Sequence, residues 1–311
     1  MARIAVTGAA GFIGRALCRV LVESGHEVRG LVRGPVPAIA GVALHPVGTI
    51  GPGTDWRCPL RNVEIIIHLA MRAHRAPPAP GGKETGDEAE AAACLARAAA
   101  AAGVRRLVQM SSLRAMGAAT PKGVPFRAAD PPRPTDPYGR AKLAVERALM
   151  AAAGETGLEL VILRPPLVYG PAAKGNLRAL LRLVATGLPL PLARIDNRRS
   201  LVFLGNLVDL CGRAALDPVA AGRVLLARDL DLATPDLVRA LAAGLGRRVR
   251  LFALPRPVFG ALRALPGVGP VAARLSLSLQ ADDQETRSAL GWTPPFPARA
   301  ALIASARAGR R

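Results

Sequence analysis

The stretch RIAVTGAAGFIGRALCRVLVESG, from Arg3 to Gly25, joins a short apolar run to a helical pattern through a loop with three glycines. The run before the loop is typical of a buried strand, and the pattern after it is typical of a helix that ends at Gly25. Gly8, Gly11 and Gly14 lie at this turn, where small residues let the backbone approach a pyrophosphate at a helix N-terminus. Three glycines alone are a weak signal, but their place between the first strand and the first helix predicts a dinucleotide-binding site.

Further apolar runs alternate with helical patterns through the first half of the chain. The predicted strands are HEVRGLV, VALHPV, VEIIIHLA, VRRLVQMSS and LELVILRP, and DEAEAAACLARAAAAAG (87–103) is a predicted helix. This alternation predicts an α/β protein with a doubly wound parallel sheet. Residues 1–170 are expected to form the dinucleotide-binding domain, with a later contribution from about 200–230, and residues 171–311 mainly a smaller substrate-binding lobe.

The charge of the chain is strongly positive, with a formal value of +20 over 311 residues. Its basic residues are mostly arginines scattered among Ala, Leu and Pro, and aromatic residues make up only 3% of the chain. Nucleic-acid sites interleave basic residues with aromatic stacking platforms, so we predict no nucleic-acid partner. An anionic small ligand suits such a protein.

The four cysteines, Cys18, Cys58, Cys94 and Cys211, are isolated in the sequence, which predicts neither a metal site nor a disulfide framework. Isolated thiols fit a cytoplasmic protein. A strand that begins within three residues leaves no room for a signal peptide, and no apolar run is long enough to span a membrane. The apolar stretch 254–275 contains Pro and Gly, so packed, broken helices are favoured there over a helix lying on a membrane.

The end of the second predicted strand bears on the choice of dinucleotide. An NAD site usually has an acidic residue there, but this chain has Val32 followed by Arg33. A guanidinium favours a 2′-phosphate, so NADP is slightly preferred over NAD. The alternative is that Arg33 is simply one more arginine of an arginine-rich chain.

Tyr138 and Lys142, in the segment DPYGRAKLAVE, lie four residues apart and therefore on one face of a helix. A charged Lys142 would favour the phenolate form of Tyr138, and a phenol tuned in this way can exchange a proton with an alcohol at neutral pH. Ser112, in MSSLRAMG at the end of the fifth strand, could hydrogen-bond the same substrate oxygen. Capping of a turn is the alternative role for this serine.

Together these segments resemble the extended short-chain dehydrogenases/reductases of the nucleotide-sugar epimerase/dehydratase type. TGAAGFIG matches the family pattern TGxxGFIG, HLAM matches HLAA, and SSLRAMG and DPYGRAK match the serine segment and the YxxxK active site. RPPLVYGP and LGWTPP follow in family order, so the resemblance runs nearly end to end. It implies a Rossmann fold with cofactor contacts from Gly8, Gly11, Phe12, Ile13, Gly14, Arg33, Leu69, Ala70, Tyr138 and Lys142.

The resemblance also implies a role for each catalytic residue. Tyr138 would be the acid/base, Lys142 would tune it and bind the nicotinamide ribose, and Ser112 would polarise the sugar C4 oxygen. The diphosphate of the substrate would be bound by Asn176, Arg199 and Arg274.

Within the family, the segments TGLELVILRPPLVYGPAAKGNL and GLPLPLARIDNRRSLVFLGNLVDL are similar to the branch of UDP-N-acetylquinovosamine 4-dehydrogenases. They favour reduction of a UDP-4-keto-6-deoxy-N-acetylhexosamine in polysaccharide biosynthesis. The alternative is 4-epimerisation of a UDP-sugar or of a polyprenyl-diphosphate-linked sugar, and the second alternative is a non-catalytic dinucleotide-binding protein. The resemblance further implies a homodimer.

The chain departs from the family pattern at four places. Thr49 and Glu88 stand where Asp and Asn are usual, and Arg114 and Met116 replace a small residue and a tyrosine of the serine segment. The exact fit of cofactor and sugar is therefore open, whereas the set of Ser112, Tyr138 and Lys142 is complete.

Overall fold

A computed structural model describes residues 1–70, 83–173, 175–255, 257–258, 260–261, 265 and 269–309. Eight residues of the apolar stretch 254–275 lie outside this part of the chain, as does the proline-rich segment between the fourth strand and the next helix. Within the described part, no helix is both long and apolar enough to cross a membrane.

Ten strands and nine α-helices follow one another in the described part. The strands are β1 (Arg3–Thr7), β2 (Glu27–Val32), β3 (Val42–Pro46), β4 (Ile65–His68), β5 (Arg106–Met110), β6 (Glu159–Arg164), β7 (Leu167–Tyr169), β8 (Arg199–Phe203), β9 (Val224–Leu226) and β10 (Leu230–Leu232). The helices are α1 (Phe12–Glu23), α2 (Lys83–Ala101), α3 (Pro137–Thr156), α4 (Asn176–Ala185), α5 (Leu204–Leu216), α6 (Thr234–Gly244), α7 (Gly269–Ser276), α8 (Gln284–Leu290) and α9 (Ala298–Ala308).

The larger sheet has seven parallel strands in the order β3-β2-β1-β4-β5-β6-β9. Its strand order reverses between β1 and β4, where Thr7 pairs with His68. One face of the sheet packs on α1 and α5, and the other face packs on α2 and α3. Because helices cover both faces of the sheet, central strands contain buried apolar runs, as in Ile65–Ile67 of β4.

One feature differs in extent from the sequence-based expectation. Helix α2 begins at Lys83, four residues before the predicted start at Asp87, because Gly86 does not stop a helix whose other residues favour it. After β8 the chain contributes again to the large sheet, because α5 packs on one face and β9 pairs with β6 at the edge.

A smaller sheet, in the order β10-β8-β7, has one parallel and one antiparallel pairing. It packs with α4, α6 and α9 around a separate apolar cluster that includes Leu180, Leu201, Val238 and Leu302. β7 follows β6 after two residues, so this second unit begins directly beside the carboxyl edge of the large sheet.

Candidate active site

The glycine loop turns tightly between β1 and α1. Gly8 has a φ of +68°, which favours glycine, and its N–H donates to the Leu31 carbonyl at 3.1 Å. A Cβ at position 14 would lie 2.2 Å from the Gly8 carbonyl oxygen, so only glycine fits there without moving α1. Helix α1 begins with no side-chain cap from Gly11. This exposed helix N-terminus behind a tight loop fits the pyrophosphate of a dinucleotide.

The end of β4 forms the neighbouring wall of this loop. The Thr7 hydroxyl oxygen accepts hydrogen bonds from the Leu69 and Ala70 N–H groups, each at 3.1 Å, and lies 2.8 Å from His68 Nδ1. Burial lowers the pKa of His68 to about 4, so the imidazole is neutral at physiological pH. Leu69 and Ala70 are thereby held beside Gly8, where the family pattern places cofactor contacts.

Helix α3 has a well-defined start that fixes the position of Tyr138. Asp136 caps the helix by accepting a hydrogen bond from the Gly139 N–H at 2.9 Å, and Pro137 occupies the first helical position. Tyr138 therefore lies in the first turn, near enough to Ser112 for this hydroxyl to lower the pKa of the phenol. Ser112 also caps the short 3-10 helix Leu113–Ala115 by accepting from the Arg114 N–H at 3.2 Å. The capping role considered for this serine is thus present, and its contact with a substrate oxygen stays a prediction.

Lys142 lies beneath the phenol ring and is almost fully buried. Its ammonium donates to the Met110 carbonyl at 3.1 Å and lies 5.8 Å from the centroid of the Tyr138 ring. Burial lowers the pKa of Lys142 to about 8, against the opposing effect of the Glu88 and Glu146 carboxylates. Ser112, Tyr138 and Lys142 are therefore brought together at the carboxyl ends of β5 and β6.

The pKa of Tyr138 differs from the expectation that Lys142 would lower it. Burial raises the pKa of the phenol, and the hydrogen bond from Ser112 and the charge of Arg114 offset this only in part. The charges of Asp136 and Glu88 raise it further. Since desolvation outweighs the nearby cations, the phenol is protonated at neutral pH in the protein alone.

Arg114 was noted from the sequence only as a departure from the family pattern. Its guanidinium lies 5.5 Å from the Tyr138 ring centroid and forms an ion pair of 2.8 Å with Asp136. The Asp-Pro pair before Tyr138 is a helix-start signal that could have located Asp136 beforehand. The contact with Arg114 has no local signal, because it joins two separate elements.

The expected diphosphate ligands are brought together only in part. Arg199 on β8 is half-buried, and its Nη1 donates to the Arg274 carbonyl at 2.6 Å. Burial lowers the pKa of Arg199, and the charges of Arg114 and Arg274 add to this effect, which places both of these guanidinium groups within electrostatic reach of Arg199. Asn176 is exposed at the start of α4, and no contact within the described part of the chain joins it to this group.

Arg33 follows β2 and is exposed. Among the described residues, no hydrogen bond or ion pair holds its guanidinium in place, so the geometry does not distinguish NADP from NAD. The described residues also contain no cluster of three His, Cys, Asp or Glu side chains that could hold a metal ion.

A doubly wound sheet with this glycine loop and a Ser, Tyr and Lys group beside it defines a class, the nicotinamide-dinucleotide enzymes. Residues 4–225 match the model of the NAD dependent epimerase/dehydratase family. A UDP-glucose 4-epimerase from Vibrio cholerae is 37% identical over 300 residues, which cover 94% of this chain and 90% of the relative. The chain therefore belongs to the NAD dependent epimerase/dehydratase family.

Two further comparisons bear on the fold and on the cofactor. The structure of MoeE5 in complex with UDP-glucuronic acid and NAD superposes with a TM-score of 0.80, at 26% identity and 99% coverage of both chains. A ceramide reductase from Caulobacter vibrioides (strain NA1000 / CB15N) is 31% identical, covering 82% of this chain and 74% of the relative. The predicted α/β class with a doubly wound sheet and a smaller C-terminal unit is confirmed. The family and MoeE5 are described with NAD, and the slight preference for NADP gains no support.

Proposed function

We propose that this protein is an NAD-dependent 4-epimerase of UDP-linked hexoses. The observation that carries the proposal is that the Lys142 ammonium lies 5.8 Å from the centroid of the Tyr138 ring and donates to the Met110 carbonyl, beside Ser112 and at the same sheet edge as the glycine loop. The 37% identity to a UDP-glucose 4-epimerase and the likeness to MoeE5, which was determined with UDP-glucuronic acid, support the substrate class. The comparisons support epimerisation better than the net 4-keto reduction that finer sequence features favoured.

The residues around the glycine loop would hold the cofactor. Gly8, Gly11 and Gly14 leave room for the pyrophosphate, and Leu69 and Ala70 border the loop on the β4 side. When bound, NAD accepts a hydride from an alcohol carbon and can return it. The positive charge of the oxidised nicotinamide would also offset the effect of burial on the nearby phenol.

Tyr138 would act on the C4 hydroxyl of the sugar. As a phenolate it removes the hydroxyl proton while C4 loses its hydride, and it returns the proton when a hydride reaches the opposite face of the keto sugar. Ser112 would hold the C4 oxygen beside the phenol, and Lys142 would fix the ring from below. No net oxidation results, because the electrons removed in the first half are restored in the second.

The nucleotide end of the substrate would lie on the smaller unit. Arg199 and Arg274 supply guanidinium groups suited to a diphosphate, since the planar fork matches phosphate oxygens. Asn176 remains a proposed contact at the start of α4. A homodimer also remains part of the proposal, as do the assignment of residues 171–311 to the substrate lobe and a cytoplasmic location.

The test is incubation of the purified protein with a panel of UDP-hexoses, without added cofactor. We expect interconversion of a C4 pair such as UDP-glucose and UDP-galactose, and retention of NAD through dialysis. Net reduction is the second candidate, because one relative is named a reductase. Consumption of added NADH or NADPH in step with a UDP-4-keto-sugar would support reduction, and no turnover of any sugar nucleotide would favour a non-catalytic protein.

A further inference from the structure

Arg114 joins the loop that carries Ser112 to the first turn of the helix that carries Tyr138. Its backbone carbonyl packs directly on Gly139, where a Cβ would lie only 2.3 Å from that oxygen. Its side chain pairs with Asp136, which in turn caps α3 through the Gly139 N–H. Arg114 therefore ties the serine loop to the first turn of α3 through both its backbone and its side chain.

The guanidinium of Arg114 is also held over the face of the Tyr138 ring, 5.5 Å from the centroid. A cation on a ring face attracts the ring and favours negative charge on its oxygen. The other charged groups that act on the phenol or approach its ring are Lys142 of the same helix, Asp136 at its start, and Glu88 of α2. Arg114 supplies positive charge from the serine loop, on a different element from Lys142.

Asp136 has one oxygen in use and one without a hydrogen-bond partner. Oδ1 accepts from Gly139 N–H and pairs with Arg114, whereas Oδ2 is buried with no hydrogen-bond partner among the described residues. The carboxylate therefore fixes the guanidinium but also places a negative charge near the phenol. Arg114 and Asp136 act on the proton of Tyr138 in opposite directions.

We propose that Arg114 is a positioning residue for Tyr138: its guanidinium, held by Asp136, fixes the ring against the Ser112 loop and stabilises negative charge on the phenol oxygen. Arg114 acts through Tyr138 and needs no contact with the substrate. The inference rests on the proposed function in so far as Tyr138 is the acid/base there.

The test is a direct titration of Tyr138 in the presence of NAD and without any sugar. The chain has only two tyrosines, so isotope labelling of the tyrosine Cζ gives two NMR resonances, which Tyr138→Phe assigns. Burial raises the pKa of Tyr169, which keeps that phenol protonated while Tyr138 titrates. The variants are Arg114→Gln, which removes the charge, and Asp136→Asn, which can still cap the helix.

Arg114→Gln is expected to raise the titration midpoint of Tyr138 by about half a pH unit. Asp136→Asn is expected to lower it, and Arg114→Lys, which keeps a charge without the fork, to raise it less than Arg114→Gln does. Opposite shifts are the signature of charge, since general loosening of the site would not produce them. Circular dichroism at each pH checks that each variant is folded, and each midpoint is interpretable alone if another variant fails to fold.

An unchanged midpoint in Arg114→Gln, or shifts of the same sign in Arg114→Gln and Asp136→Asn, would overturn the inference. Because the titration uses no sugar, it does not depend on epimerase activity. Opposite shifts in a protein that converts no UDP-hexose would reject the proposed function and leave the role of Arg114 standing.

Discussion

Tyr138 is under opposing influences that together set when its phenol can give up a proton. Burial raises the pKa of the Tyr138 phenol, whereas Ser112 and Arg114 lower it. The balance explains why the phenol needs a further positive charge beside it to act as a base near neutral pH. Acid/base catalysis by one positioned side chain is worth about 10²- to 10⁴-fold in rate.

Tyr138→Phe should therefore lower kcat by about 10²- to 10⁴-fold. Tyr169→Phe is the matched control, because the other tyrosine is buried and bonds the Ala298 carbonyl at 2.7 Å, away from Ser112. That control should keep most of the activity and lose only some stability. Equal loss of turnover in both variants would contradict the assignment of Tyr138.

The ionisation of Lys142 makes the free energy of unfolding depend on pH, and the sign of this dependence follows from its pKa. Its folded pKa of about 8 lies below the usual 10.5, so between these values the unfolded chain binds the proton and the folded chain does not. Stability conferred at this position therefore rises with pH across that interval. The free energy of unfolding of the wild type, relative to Lys142→Met, should rise by roughly 2 to 4 kcal/mol between about pH 7 and about pH 11.

Urea unfolding followed by the fluorescence of Trp56 and Trp292 measures this difference at each pH. Other groups that titrate in this range are common to both proteins and cancel in the comparison. If the difference in the free energy of unfolding between the two proteins stays constant with pH, burial does not lower the pKa of Lys142.

At the scale of single elements, the sequence predicted best what depends on neighbours along the chain. The glycine loop, its strand and its helix were located correctly, because turn chemistry and hydrophobic pattern agree there. The start of α2 was misplaced by four residues, since a lone glycine is a weak stop signal. The pairing of Arg114 with Asp136 was out of reach, because it requires the serine loop and α3 to meet in space.

The contact of Gly14 with the Gly8 carbonyl makes α1 sensitive to a single methyl group. Gly14→Ala should destabilise the protein by about 1 to 3 kcal/mol through overpacking, and it should reduce the NAD content of the purified protein. Gly154→Ala on α3 is the control, since a Cβ there meets no atom within 4 Å. The control should be neutral or slightly stabilising in thermal unfolding, and equal effects of the two changes would contradict the packing described for the loop.

A buried ion pair supports the site from below. Glu146 on α3 binds Arg164 of β6 through two hydrogen bonds, at 3.0 Å and 2.5 Å, and also accepts a hydrogen bond from the Ser111 hydroxyl. Both side chains are almost fully buried. Helix α3, β6 and the serine loop are therefore connected through one carboxylate.

Glu146→Gln should reduce the free energy of unfolding by about 3 to 5 kcal/mol, because it leaves the Arg164 charge buried and uncompensated. Glu155→Gln is the matched control on the same helix, where the partner Arg97 and the carboxylate are both about half exposed, at 51% and 53%. Chemical denaturation should not distinguish the control from the wild type. A Glu146→Gln variant as stable as the control would mean that the buried pair does not hold α3 on the sheet.

At the scale of the whole molecule, alternating apolar and helical patterns were enough to predict the parallel sheet. The smaller sheet was less accessible from sequence, because two of its three strands, β7 and β10, have only three residues each. Their partners come from distant parts of the chain, as in the pairing of Leu230 with Leu201. Tertiary packing, more than local pattern, determines that region, and the proposed substrate contacts lie there.

The most direct test of the central claim follows the hydrogen on C4. UDP-glucose deuterated at C4 is incubated with the protein and excess unlabelled NAD. The UDP-galactose formed is separated, and its deuterium content is measured by mass spectrometry. A 4-epimerase that holds its cofactor and uses Tyr138 returns the same hydride, so the product should keep its deuterium at C4, and Tyr138→Phe should form almost none. Product that has lost the deuterium, label released in free NADH, or no product from any UDP-hexose would contradict the account.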